Sequence, residues 1–205
     1  MASATISGDD RFRLLGLQVI TLAWMLIECA LSLLSAVRAH SPALAAFGAD
    51  SLVELLSAAL VMTTISPRLR LSERTANRLA GVLLFALAAA VCFSSLAVFF
   101  GWIQPESSPL GIAVTLAALC IMPVLAWYKR KLAQKTRHNA LAADAVQSAA
   151  CAYLAAITLL GLLANALLHL PWADSVAALV AVPILIGEGR RALRGESCGC
   201  QAGCA

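Results

Sequence analysis

The chain has 205 residues, 61% of them hydrophobic and only 13% charged, with a formal net charge of +4. Its mean hydropathy is +0.86. A soluble domain carries about 25% charged residues, so this composition excludes an ordinary water-soluble enzyme or binding module and describes a membrane protein.

Six apolar stretches follow one another, at roughly 14–37, 43–65, 79–102, 109–128, 140–168 and 173–189. A helix needs about 20 residues to cross the hydrocarbon core. The last stretch reaches that length by continuing into 190–194. The stretches are rich in Leu and Ala and far exceed the roughly 9–11 residues of a membrane strand. The expected fold is an all-α membrane protein, a six-transmembrane-helix bundle with no soluble domain. Three parts are expected: an N-terminal segment 1–13, a membrane domain 14–194 and a Cys-rich tail 195–205. Abundant Ala, Gly and Ser suit close helix packing. A cleaved leader is not expected, since the first stretch is too long and the second follows within a few residues.

The first stretch follows Arg11 and Arg13 and carries Glu28 about halfway across. The second contains AFGADSLVELLSAAL, with Asp50 and Glu54 one helical turn apart. At 1.5 Å per residue Glu54 lies about 16 Å inside the span, near the midplane. Residues four apart share a helix face, so the two like charges repel, and either a cation or a shared proton relieves them. The second and third stretches are separated by Arg68, Arg70, Arg74 and Arg78. The fourth and fifth are separated by YKRKLAQKTRH, containing Lys129. The fifth stretch carries Asp144, Gln147 and Cys151, with Cys151 at about the depth of Glu54. Asn165 and His169 lie near its far end and could line a vestibule. Asp174 opens the sixth stretch, where a first-turn acid suits the helix dipole. Arg190, Arg191 and Arg194 follow it. All but Arg38 of the 15 basic residues therefore fall on one side, and the positive-inside rule places both termini in the cytoplasm. The basic segments read as topology signals with affinity for anionic lipid, not as nucleic-acid contacts.

Ionisable residues inside a span are costly unless paired, neutralised or hydrated, and each is a functional candidate. The acidic face of the second helix and the Asp–Gln–Cys face of the fifth would together offer carboxylates, an amide oxygen and a sulfur. That mixed set suits a borderline divalent ion such as zinc, cadmium or cobalt. Candidate metal residues are Asp50, Glu54, Gln147 and Cys151, with Glu28 and Asp144 alongside. Cys29, Cys92 and Cys120 read as packing residues. In the tail, Cys198, Cys200 and Cys204 form a separate candidate metal site beside Glu196.

These features resemble the cation diffusion facilitator family of proton-coupled zinc efflux proteins, over roughly 14–194. In that family an [HD]xxxD pair on the second helix and an HxxxD pair on the fifth hold the metal. The first falls on Asp50 and Glu54, with Glu in place of the usual Asp. The second is altered. Anchored on ADA at 143–145, the ligand positions are Gln147 and Cys151. Anchored on QS at 147–148 they would be Ala145 and Ala149, which have no donor atoms. WADSVAALVAVPIL resembles the family's sixth helix. The family's usual cytoplasmic metal-binding domain is not expected, and the chain resembles the short branch related to the vertebrate transmembrane protein 163 group, in which an acid at the position of Glu28 recurs.

The resemblance implies efflux of divalent metal ions by alternating access, driven by protons, in a bacterial inner membrane. It implies Zn2+ as the transported ion, with Cd2+ and Co2+ as alternatives, no organic cofactor, and a homodimer. A metal-binding sensor or scaffold that does not transport is the alternative. Enzyme activity is not expected, since no nucleophile–base arrangement is present.

Overall fold

Proline cannot donate a backbone hydrogen bond, and in the first turn of a helix no donor is missed. Pro42, Pro109 and Pro171 each open a helix. The residue before two of them caps the turn: Ser41 Oγ accepts from Leu44 N at 3.1 Å and Ser108 Oγ from Gly111 N at 3.1 Å, the pattern of an N-cap.

The structure, a computed structural model, describes residues 8–65, 73–136 and 139–194. They form six helices: α1 Gly8–Ala39, α2 Pro42–Ile65, α3 Glu73–Phe99, α4 Pro109–Thr136, α5 Asn139–Leu168 and α6 Pro171–Arg194. No strand occurs among the described residues. Five helices hold a stretch long and apolar enough to cross a membrane, within Phe12–Ala39, Gly81–Phe99, Pro109–Thr136, Asp144–Leu168 and Pro171–Arg191. The sixth helix, α2, is 24 residues long, about 36 Å at the α-helical rise. The chain is thus a multi-pass integral membrane protein. Cys198, Cys200 and Cys204 lie outside the described residues.

The fold corrects one boundary. Helix α4 runs on to Thr136, so most of YKRKLAQKTRH is helix and only a short link separates it from α5. The buried positions of α4 are Gly111, Val114, Thr115, Ala118, Met122, Leu125, Lys129 and Ala133. Their spacing of three and four residues is a single helix face, and Lys129 lies on it.

Helix α2 is central, packing on α1, α3, α5 and α6. α4 packs on α5 and α1, and α3 pairs with α6. The α1–α2, α3–α4 and α5–α6 connections meet at one end of the bundle, where Glu106 N donates to Ala39 O at 2.9 Å and Asn165 Nδ2 to Pro105 O at 3.0 Å. The outer surface is apolar: Ile20, Phe93, Leu160 and Leu167 are all at least 60% exposed, as lipid-facing side chains should be. The interior holds much of the polarity, with Gln18, Glu28, Asp50, Glu54, Lys129 and Asp144 all buried.

Small residues set the helix spacing. A Cβ on Gly161 of α5 would stand 2.7 Å from Ala177 Cβ and 3.3 Å from Ala173 O of α6. Neither atom can swing aside without moving its helix. Gly161→Val is therefore expected to lower stability in detergent by about 1–3 kcal/mol, read as a drop in melting temperature. Gly16→Val, where a Cβ meets nothing within 4 Å, should leave it unchanged.

Candidate cation site

The central position of α2 buries both of its acids completely. Asp50 has no hydrogen-bond partner for either carboxylate oxygen among the described residues. The acids Glu54, Glu188 and Glu28 and the thiol of Cys151 lie around it. Glu54 differs. Its Oε1 accepts from Ser148 Oγ of α5 and lies 3.5 Å from Lys129 Nζ of α4, while Oε2 has no partner among the described residues.

Glu28 comes from α1 and is well satisfied. It accepts from Trp24 Nε1 at 2.6 Å, from Ser51 Oγ of α2 at 2.6 Å and from Cys151 Sγ of α5 at 3.4 Å. Cys151 is itself fully buried. Glu28 thus ties α1 to α2 through Ser51 and to α5 through Cys151, with Asp50 and Glu54 on the same buried side of α2.

Lys129 corrects the reading of its segment as a run of topology charges. Its side chain is fully buried, not solvated. Its Nζ lies 2.9 Å from Asp144 Oδ2 and 3.5 Å from Glu54 Oε1, and donates to Ser148 Oγ at 2.6 Å. Gln18 Nε2 of α1 donates to the same Asp144 Oδ2 at 3.2 Å. This second layer links α1, α4, α5 and α2 and lies beside the first, with Glu54 shared between them. The sequence carries a signal for it: Lys129 continues the stripe of Ala118, Met122 and Leu125, whereas its neighbours Arg130 and Lys131 do not and are exposed.

Gln147 is buried, with an amide nitrogen that has no partner among the described residues. Asp144 belongs to the lysine layer. Asp174 stands in the first turn of α6 but is more than a dipole acid: it accepts from Ser41 Oγ at 2.6 Å and from Ala43 N at 3.2 Å, tying α6 to the start of α2. Glu188 pairs with Arg191 at 3.0 Å. Asn165 and His169 line a cavity of about 280 Å³ with Gln104, Pro105 and Pro171, at the end where the connections meet. Cys29 is buried and donates to Gly48 O at 3.6 Å, a packing role, and Cys120 is exposed.

Among the described residues, no group of three or more His, Cys, Asp or Glu side chains is gathered closely enough to hold a metal ion. The donor types nevertheless suit a borderline divalent cation, which accepts oxygen and sulfur together. Asp50 and the second oxygen of Glu54 supply what such an ion requires, buried negative charge without a protein partner among the described residues.

Comparison with known proteins identifies the family. No curated protein matches the chain. Residues 17–196 match the cation efflux transmembrane domain, whose members are transporters and not enzymes. The match takes in Glu28, Asp50, Glu54 and Asp144 together with Cys151 and Lys129, and the chain belongs to the cation efflux family.

Proposed function

We propose that the protein exports divalent transition-metal cations from the cytoplasm in exchange for protons, with zinc as the principal cargo and cadmium or cobalt as alternatives. The observation that carries this reading is Asp50. A carboxyl fully buried beside Glu54 and the Cys151 thiol, with neither oxygen in a close hydrogen bond among the described residues, is costly for a membrane bundle unless a proton neutralises it or a cation visits it. Asp50, Glu54 and Cys151 would bind the ion directly. Gln147 would act as a weak ligand or orient one, as outer groups do at metal sites. Glu28 holds the thiol, and Asp144 holds the lysine layer. Gln147 and Cys151 are both buried, whereas of the rival positions Ala145 is buried and Ala149 exposed, so the register anchored on ADA alone puts both positions inside.

In this reading all six helices cross the membrane, α2 included, with both termini in the cytoplasm of a bacterial cell and the inner membrane as its site. Removing Lys129 from the set of basic topology residues leaves the charge asymmetry standing. Ion and protons compete for the same carboxylates, and alternating access moves the ion across. A homodimer is part of the proposal by family analogy, and the tail cysteines would be a separate capture site.

Reconstituted vesicles test it. Zn2+ movement should be coupled to an opposing pH change and should disappear in Asp50→Ala with Glu54→Ala. Tight binding with no uptake by the wild type would overturn transport and favour a sensor or scaffold. The pairing of Glu54 with Lys129 is the observation that speaks for that second reading, since it leaves the site less open to an ion.

A further inference from the structure

The buried layer contains four carboxylates, from Glu28, Asp50, Glu54 and Asp144, and one ammonium, from Lys129. A lysine ammonium has three protons to donate and no capacity to accept. Here it faces three acceptors, Asp144 Oδ2 at 2.9 Å, Ser148 Oγ at 2.6 Å and Glu54 Oε1 at 3.5 Å. Two of these contacts are close and one is long. The short ones go to α5 and the long one to the proposed ligand on α2. One oxygen of each carboxylate is engaged, and Glu54 Oε2 and Asp144 Oδ1 have no partner among the described residues.

A flexible four-carbon stem carries this charge, so the ammonium can shift by an ångström or two without α4 moving. Asp144 is its anchor, and Glu54 is the partner it can leave. A divalent ion at Asp50 and Glu54 would meet the ammonium as a like charge at short range, in surroundings where charges act strongly.

We propose that Lys129 is a tethered counter-cation for the cation site. In the ion-free protein its ammonium spans Asp144 at 2.9 Å and Glu54 at 3.5 Å. Cargo binding displaces it from Glu54 while it stays on Asp144, and its return to Glu54 helps expel the cargo. Lys129 is thus an affinity-setting residue that keeps the site from trapping its ion. The inference rests on the transport reading above, for it assigns the ion to Asp50 and Glu54. A lysine that merely organises the site would act in the opposite direction, since its loss would splay the helices and weaken binding.

The test is equilibrium binding of Zn2+ and Cd2+, at one fixed pH, to the purified full-length protein in detergent. Lys129→Gln is expected to bind both ions about tenfold more tightly or better, the size set by removing one repelling charge near the ion. Lys129→Arg, which keeps the charge, should stay within a few-fold of wild type. Adding Asp50→Asn and Glu54→Gln to Lys129→Gln should abolish the gain. Should Lys129→Gln prove unstable, Lys129→Gln with Asp144→Asn removes the pair together and should still bind more tightly than Asp144→Asn alone. Unchanged or weaker binding by these variants, with wild type binding normally, overturns the counter-cation role and leaves the transport reading intact. Absence of binding by wild type and variants alike overturns both.

Discussion

Asp50→Asn is expected to stabilise the protein while eliminating its ion binding. The two effects share one cause. Asp50 is fully buried, has no hydrogen-bond partner among the described residues, and lies in the field of Glu54, Glu188 and Glu28. A buried charge without a partner costs several kcal/mol. Replacing the acid by an amide at nearly constant volume should recover about 1–2 kcal/mol at alkaline pH, where Asp50 has to hold its charge, and little at acid pH, where a proton already neutralises it. The measurement is thermal unfolding in detergent without added metal, set beside Zn2+ binding. A higher melting temperature with lost binding is the expected pair. A lower melting temperature would mean that Asp50 is a structural acid with a partner in the folded protein, and would remove the observation on which the function rests.

Lys129→Met should show the opposite sign. The substitution keeps an unbranched stem of similar length and deletes the ammonium that faces Asp144 and Glu54. Breaking a buried ion pair by removing one partner leaves the other uncompensated, and typically costs about 3–5 kcal/mol. Restoring neutrality with Glu54→Gln and Asp144→Asn should return a large part of the loss, because replacing an entire buried pair is often neutral. Thermal unfolding of the single and triple variants checks this. Equal destabilisation in both would assign the effect to packing. Together the two variants separate the two charges: the acid of Asp50 is held at a cost to stability, while the ammonium of Lys129 offsets the charge of Asp144 and Glu54 around it.

Much of the architecture is legible in the chain itself. The six apolar stretches form six helices because length and hydropathy leave a chain few choices in lipid. The acidic pair on α2 and the meeting of Cys151 with it follow from spacing and depth. Helix rotation is harder to read. Lys129 sits beside Trp127, Tyr128 and Lys131, and Lys131 does lie over the Trp127 ring, 5.0 Å from its centre, as residues at a membrane interface do. A basic run next to aromatics reads as the end of a span. Only the helix phase, carried through from Met122 and Leu125, turns Lys129 inward. Ser148, Ser51 and Gln18 are hidden for a related reason. Neutral polar side chains are common in membrane helices, and their partners come from other helices at positions no local pattern specifies. Asp174 is recognisable as a first-turn acid, but its partners, Ser41 and Ala43, lie 133 and 131 residues away in the chain.

That last contact bears on how the bundle can move. One carboxylate caps the first turn of α2 from the first turn of α6, through two hydrogen bonds. The two helix ends are therefore tied together, and a motion that parts them must break both bonds. Motion elsewhere is less restrained: Pro123 in α4 and Pro183 in α6 leave the carbonyls of Leu119 and Leu179 without their usual donor, and such points bend readily. The bundle thus has a fixed corner above Asp50 and compliant points at mid-helix. A rocking movement about that corner would swing the lower part of α2, with Glu54, through a wider arc than Asp50.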